Sequence, residues 1–171
     1  MSFFRYFCMM TETKRINKII TGFTLFFVFL FCGDLTAQKE EPIPITWKML
    51  SDVTFFEEFN KEYDFNVMVP KYGKTVKDLE GKLVEITGYA IPLEEIGMDQ
   101  DILVLSANTY ASCFFCGKAG PESIMDIKPK KKIKGIKVDK KLRFRGRLVL
   151  NERDLTKLYY ILKDAVLVEV N

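Results

Sequence analysis

The stretch Leu83-Val84-Glu85-Ile86-Thr87-Gly88-Tyr89-Ala90-Ile91-Pro92-Leu93 decides the fold. It is rich in β-branched and aromatic residues, which pack well on a pleated surface, and Gly88 interrupts it. A glycine inside a strand marks a bend, a bulge or the close approach of another backbone, as at the corner of a barrel. A later stretch repeats this arrangement. Leu142, Phe144, Gly146, Leu148 and Leu150 alternate with Arg143, Arg145, Arg147 and Val149. That is a two-residue period, with one face buried and the other facing water, and Gly146 sits within it as Gly88 does. Between the two, Asp101 to Ser106 reads as a strand that is almost continuously apolar over Ile102-Leu103-Val104-Leu105. Pro121 to Ile127 reads as another.

Upstream, Phe65, Val67 and Val69 alternate with Asn66 and Met68, which predicts a strand ending at Pro70. Thr54 and Glu57 fit a capping box ahead of Phe55, Phe59 and Tyr63 at four-residue spacing, which predicts a short helix over 54–62. Trp47, Phe55, Phe56 and Phe59 are expected in the core, because aromatics contribute most to burial in a small domain. Downstream, Asn151 can cap a helical turn over 152–157. Tyr159-Tyr160-Ile161-Leu162 and Val166-Leu167-Val168, separated by Lys163-Asp164, then predict a hairpin. The expected class is mainly β: a small OB-like β-barrel with one or two short helices, with a two-sheet β-sandwich as the alternative.

The first 37 residues stand apart from this pattern. Lys14, Arg15 and Lys18 precede an apolar run from Ile19 to Cys32, and Leu35-Thr36-Ala37 comes after it. These are the n-region, h-region and small-residue cleavage site of a secretory signal. The run is about 14 residues, short of the ~20 that span a bilayer; an uncleaved anchor helix is the alternative. The expected organisation is a signal peptide over 1–37 cut near Ala37, a tether over 38–46 held irregular by Pro42 and Pro44, and one domain over 47–171. The expected location is the periplasm or cell envelope of a bacterium.

Of the chain's 26 basic and 23 acidic residues, cleavage leaves 22 and 21, a net charge of +1. No overall basic character remains to suggest a nucleic-acid partner. Cys8 and Cys32 leave with the signal, so two cysteines of four remain. The chain has no histidine, which excludes Ser-His-Asp and Cys-His catalysis and every His metal ligand. It also excludes covalent haem at Cys113-Phe114-Phe115-Cys116, where the next residue is Gly117. Adjacent carboxylates at Glu57-Glu58 and Glu94-Glu95 point in different directions and form no acid/base pair by spacing. Asp99-Gln100-Asp101 lacks the loop pattern of a calcium site. No catalytic residue is assigned.

Chemistry therefore concentrates in Ser112-Cys113-Phe114-Phe115-Cys116-Gly117-Lys118-Ala119-Gly120-Pro121, where three readings compete. In an oxidising compartment the two cysteines tend to pair, although so short a loop gains little from closure entropy. The second reading is thiol redox, in which Cys113, being N-terminal, would attack. The surroundings of a thioredoxin, a preceding tryptophan and a βαβ pattern, are absent. The third is a soft metal, zinc or copper(I), held by Cys113 and Cys116. About two further ligands are needed, and Glu94, Glu95, Asp99, Asp101, Glu122, Asp126 or a second protomer are the candidates.

The order of these features resembles a family of exported bacterial proteins known only as a domain of unknown function. That family carries a GY/GF-x-x-PL strand, an apolar strand, a C-x-H loop, a proline run and a further strand. The first is matched here by Gly88-Tyr89-Ala90-Ile91-Pro92-Leu93, and the likeness extends in the same order over about residues 47–170. Cys113 falls on the family cysteine. Phe115 falls on its histidine, and Cys116, one residue on, supplies a different soft donor. The resemblance implies a metal-linked or envelope-transport association and no reaction.

The second feature is charge. Lys128 to Arg147 holds eleven basic residues against Asp139 alone, net +10. Lys130, Lys131, Lys132, Lys134, Arg143, Arg145 and Arg147 are the candidate contacts for an anionic membrane surface or an acidic partner. The plainer reading is a solvated loop feeding the charged face of an edge strand, where lysines discourage aggregation. The sequence thus points to an exported, non-enzymatic protein that binds a soft metal or serves a transporter through the CFFC loop, as a homodimer or beside an envelope component. A thiol–disulfide redox protein is the alternative.

Overall fold

The computed structural model describes residues 40–94 and 102–168. The signal region lies outside them. So do Glu95, Asp99 and Asp101. Among the described residues no helix is long and apolar enough to cross a membrane.

The elements in chain order are β1 (Ile43–Pro44), α1 (Trp47–Leu50), β2 (Val53–Asn60), β3 (Phe65–Tyr72), α2 (Lys74–Lys77), β4 (Leu83–Pro92), β5 (Leu103–Ser106), β6 (Ile124–Pro129), β7 (Lys141–Leu150) and β8 (Tyr160–Val168). Strands pair in the order β4-β5-β6-β8-β7, and β7 returns to β4, closing a five-stranded barrel. Only β6 and β8 run parallel within the closed ring. The expected OB-like barrel is present, with two short helices.

The alternation in β4 and β7 is what the barrel needs. Val84, Ile86 and Ala90 meet Leu142, Phe144 and Leu148 in one core, with Leu105, Met125, Ile127, Tyr160 and Leu162 from the other strands. The two strand glycines have a steric cause. A Cβ on Gly88 would lie 2.6 Å from the Ser106 carbonyl oxygen, and one on Gly146 would lie 2.6 Å from that of Lys163. At both corners another backbone occupies the space of a side chain.

Several expectations change. Residues 53–60 form β2 rather than a helix, paired antiparallel with β3 from Val53↔Tyr72 to Asn60↔Phe65. The four-residue aromatic spacing is outweighed by this eight-residue ladder, and Phe56 and Phe59 are exposed instead of core. Phe55 is half-buried and packs against Tyr159 in a tilted pair, with ring centroids 5.0 Å apart. Trp47 packs against the core from α1 and donates Nε1–H to the Thr87 carbonyl at 2.9 Å. The segment expected to be a free tether is bound: Ile43 and Pro44 pair with Val84 and Glu85, and Ile45 is buried. Prolines are tolerated there because β1 lies at a sheet edge.

At the other end, residues 152–157 form no helix but two bends followed by a single hydrogen-bonded turn, closed by the Lys157 N–H on the Asp154 carbonyl at 3.2 Å. Asn151 still caps them, its Oδ1 accepting from the Asp154 N–H at 2.9 Å. The expected hairpin is one strand, β8, in which Asp164 takes φ +51° and the register with β7 shifts. A bulge of this kind lets one strand turn a barrel corner where a hairpin would have ended it. β7 lies between β4 and β8, so its arginines sit on an interior strand of a closed barrel and not on an edge.

Candidate functional site

The CFFC segment belongs to loop 107–123, between β5 and β6. The loop is closed at its base by the Ala107 N–H, which donates to the Ser123 carbonyl at 2.9 Å. It contains three 3₁₀ turns, Tyr110–Ser112, Phe114–Cys116 and Pro121–Ser123. Cys113 is extended between the first two. Its carbonyl accepts from the Cys116 N–H at 3.2 Å and the Lys118 N–H at 3.3 Å. Gly117 ends the turn at φ +69°, where nothing would crowd a Cβ, so glycine serves the left-handed backbone and not the space. Cys113 and Cys116 bracket the second 3₁₀ turn, with Cys113 extended ahead of it at ψ −178° and Cys116 its last residue.

The two cysteines differ in exposure. Cys113 is 0% exposed and packs in a second apolar cluster with Ile91, Leu93, Val104 and Ile124. Tyr110, Phe115 and Leu158 pack around it. Cys116 is exposed, and both are free thiols. A thiol that attacks a partner must be reachable, so the attacking role assigned to Cys113 from its N-terminal position passes to Cys116.

Of the proposed carboxylate ligands, Asp126 and Glu122 are turned to other uses, and Glu95, Asp99 and Asp101 lie outside the described residues. Asp126 is buried in β6 and accepts from the Leu158 N–H at 3.3 Å. The Glu122 carboxylate folds back over Gly120 and fills the space of its missing side chain. Among the described residues, no three of the Cys, Asp and Glu side chains come together.

Loop 107–123 also explains the continuous apolar run of β5. Leu105 faces the barrel core and Val104 the second cluster, so the strand is covered on both sides. The cover over its outer face is the cysteine loop itself. A run without alternation is the sequence signal of such two-sided burial. Asp139 ties this loop to the basic segment, its Oδ1 accepting from the Tyr110 N–H at 2.6 Å.

The basic feature divides in two. On β7, Arg145 lies opposite Glu85 of β4 and bonds it at 2.9 Å, and Arg143 reaches the same carboxylate at 3.5 Å. Arg147 bonds Glu40 at 2.6 Å. That contact holds the Glu40 carboxyl below its usual range, chiefly through the hydrogen bond from Arg147. The three arginines therefore serve the barrel's own outer face. Lys130, Lys131, Lys132 and Lys134 lie together on the segment between β6 and β7 and are exposed. Beside them, at the mouth of the barrel, is an open cleft of about 630 Å³, which the sequence did not foretell.

The fold and site define a small OB-like barrel with one outer face covered by a cysteine-bearing loop. No family model and no curated protein sequence matches the chain. Among solved structures it is similar to the crystal structure of a DUF3299 family protein from Pseudomonas aeruginosa PAO1, with 15% identity and a TM-score of 0.46 over 77% of this chain and 99% of that chain.

Proposed function

We propose that this chain is an exported, non-enzymatic binding protein that takes a soft metal ion, zinc or copper(I), on the Cys113–Cys116 turn. The observation that carries this reading is the presence of two free cysteines at the two ends of one 3₁₀ turn, one of them exposed. Two thiolates separated by two residues can chelate one soft ion once the loop turns both sulfurs toward it. No third donor joins them among the described residues, so the remaining ligands come from a second copy or an envelope partner. The secretory pattern of residues 14–37 supports export. The test is elemental analysis of the reduced full chain beside Cys113→Ser and Cys116→Ser. Zinc or copper near one ion per two chains, lost in both variants, supports the reading. Equal trace metal in all three overturns it.

The unequal burial of the two thiols favours a second reading, disulfide exchange. The Cys116 thiolate would attack a substrate disulfide, forming a mixed disulfide and releasing one substrate thiol. Cys113 would then attack the Cys116 sulfur, releasing the second thiol and closing the Cys113–Cys116 bond, so two electrons pass to the substrate. Stoichiometric formation of that bond from a small disulfide, abolished in Cys116→Ser, would favour exchange over metal binding.

A further inference from the structure

The ends of β4, β5 and β6 meet at the barrel mouth, and segment 130–140 crosses it on the way to β7. Ile133 and Ile136 of that segment pack onto the edge of the core. Between them and the strand ends lies the cleft of about 630 Å³, floored by Leu103 and Ile127 and rimmed by Lys134, with Glu94 on its border. Its volume falls within the ~300–1,000 Å³ of small-molecule sites, and barrel mouths are a common place for them. Lys132 and Lys134 line the cleft, with Glu94 as its one carboxylate among the described residues, and the segment from Lys128 to Lys141 as a whole carries eight lysines against Asp139. An aliphatic floor beneath a cationic rim is complementary to a molecule with an apolar tail and a negative end.

We propose that this cleft binds a single-chain amphiphile with an anionic head group, an alkyl carboxylate or alkyl phosphate. The tail lies against Leu103, Ile127, Ile133 and Ile136, and the head sits at Lys134. The site is separate from the cysteine turn and does not depend on the metal reading. It gives the lysine segment a role beyond solvation, which the paired arginines of β7 do not share.

Calorimetric titration of the full chain, below the micelle concentrations of the ligands, tests it. Dodecanoate and dodecyl phosphate are expected to bind one per chain. Decanoate is expected to bind more than tenfold more weakly, since each buried methylene is worth ~0.8 kcal/mol, about fourfold. Dodecanol is expected at least fivefold weaker than dodecanoate, and inorganic phosphate alone gives no heat. Lys134→Glu, at an exposed position, is expected to bring dodecanoate down to the level of dodecanol while leaving dodecanol unchanged. Ile133→Trp fills the cleft and is expected to abolish both. Cys116→Ser binds as the unmodified chain does. Equal binding of dodecanoate and dodecanol, no dependence on chain length, or an unchanged dodecanoate affinity in Lys134→Glu would each overturn the proposal.

Discussion

Tyr160 donates its hydroxyl to the Leu50 carbonyl at 2.6 Å, joining the start of β8 to the end of α1 across 110 residues of chain. Both residues are fully buried. Tyr160→Phe keeps the ring and its packing but leaves a buried carbonyl without a donor, which costs ~1–3 kcal/mol. Chemical denaturation is expected to show a loss of this size with an unchanged slope on denaturant.

The same tyrosine sets an alkaline limit. Burial raises the hydroxyl pKa of Tyr160, and that of Tyr72, whose oxygen lies 2.9 Å from both the Asn151 and Tyr159 carbonyls. Unfolded tyrosine titrates at about 10, so the folded state binds the proton more tightly. The stability from this difference is complete below about pH 10 and is lost as pH rises above it. Thermal midpoints taken from pH 8 to 12 are expected to fall on the alkaline side, less steeply in Tyr160→Phe. An equal fall in that variant would remove Tyr160 as the cause.

Glu85 anchors the outer face of the β4–β7 pair by holding Arg143 and Arg145 on one carboxylate. Directly opposed residues of unlike charge stabilise a ladder modestly, and exposed pairs are worth ~0.2–1 kcal/mol. A double-mutant cycle of Glu85→Ala and Arg145→Ala is expected to give a coupling in that range, shrinking at 1 M salt. A coupling near zero at low salt would mean that the arginines are held by packing alone.

At the barrel corners the expected cost is larger. Gly88→Ala and Gly146→Ala each force a methyl group to within 2.6 Å of a backbone oxygen that belongs to another stretch of the ladder. Neither oxygen can move without opening its strand pair, so overpacking of ~1–3 kcal/mol or more is expected at each site. Gly81→Ala is the contrast. It sits at φ +70° with nothing near the added carbon, so only backbone strain of about 1 kcal/mol is expected there.

These corners were legible in the sequence because a strand glycine has few explanations, and the alternation around Gly146 fixed which face was buried. The barrel followed from them. The alternation of Phe65, Val67 and Val69 marked β3, which runs two residues past the expected end at Pro70, whereas β2 was not legible as a strand, since Phe55, Phe59 and Tyr63 have helical spacing. Their pairing is set by the partner strand, and a period read from one segment cannot contain that. The bound segment from Ile43 to Ile45 was hidden for a related reason: proline blocks a central strand but not a two-residue edge contact. At the site, the CFFC spacing located the thiols, while their unequal burial depends on how loop 107–123 folds over β5. The cleft was invisible because Ile133 and Ile136 stand in a lysine-rich stretch with no period of its own.

The unequal burial yields the last prediction. Cys113 lies in an apolar cluster at 0% exposure, and Cys116 is exposed three residues on. A thiol reagent reaches a buried cysteine only when its surroundings open, so its labelling tracks the free energy of that opening. In the folded, reduced protein one of these two thiols is expected to label within seconds to minutes, and that fast phase is expected to vanish in Cys116→Ser. Cys113 is expected to label at least ~10²-fold more slowly, the ratio for an opening of ~2.7 kcal/mol, and to catch up in denaturant. Equal rates for the two thiols in the folded state would show that the loop does not stay closed over Val104 and Ile124. Both proposed roles of the turn would then start from a different geometry.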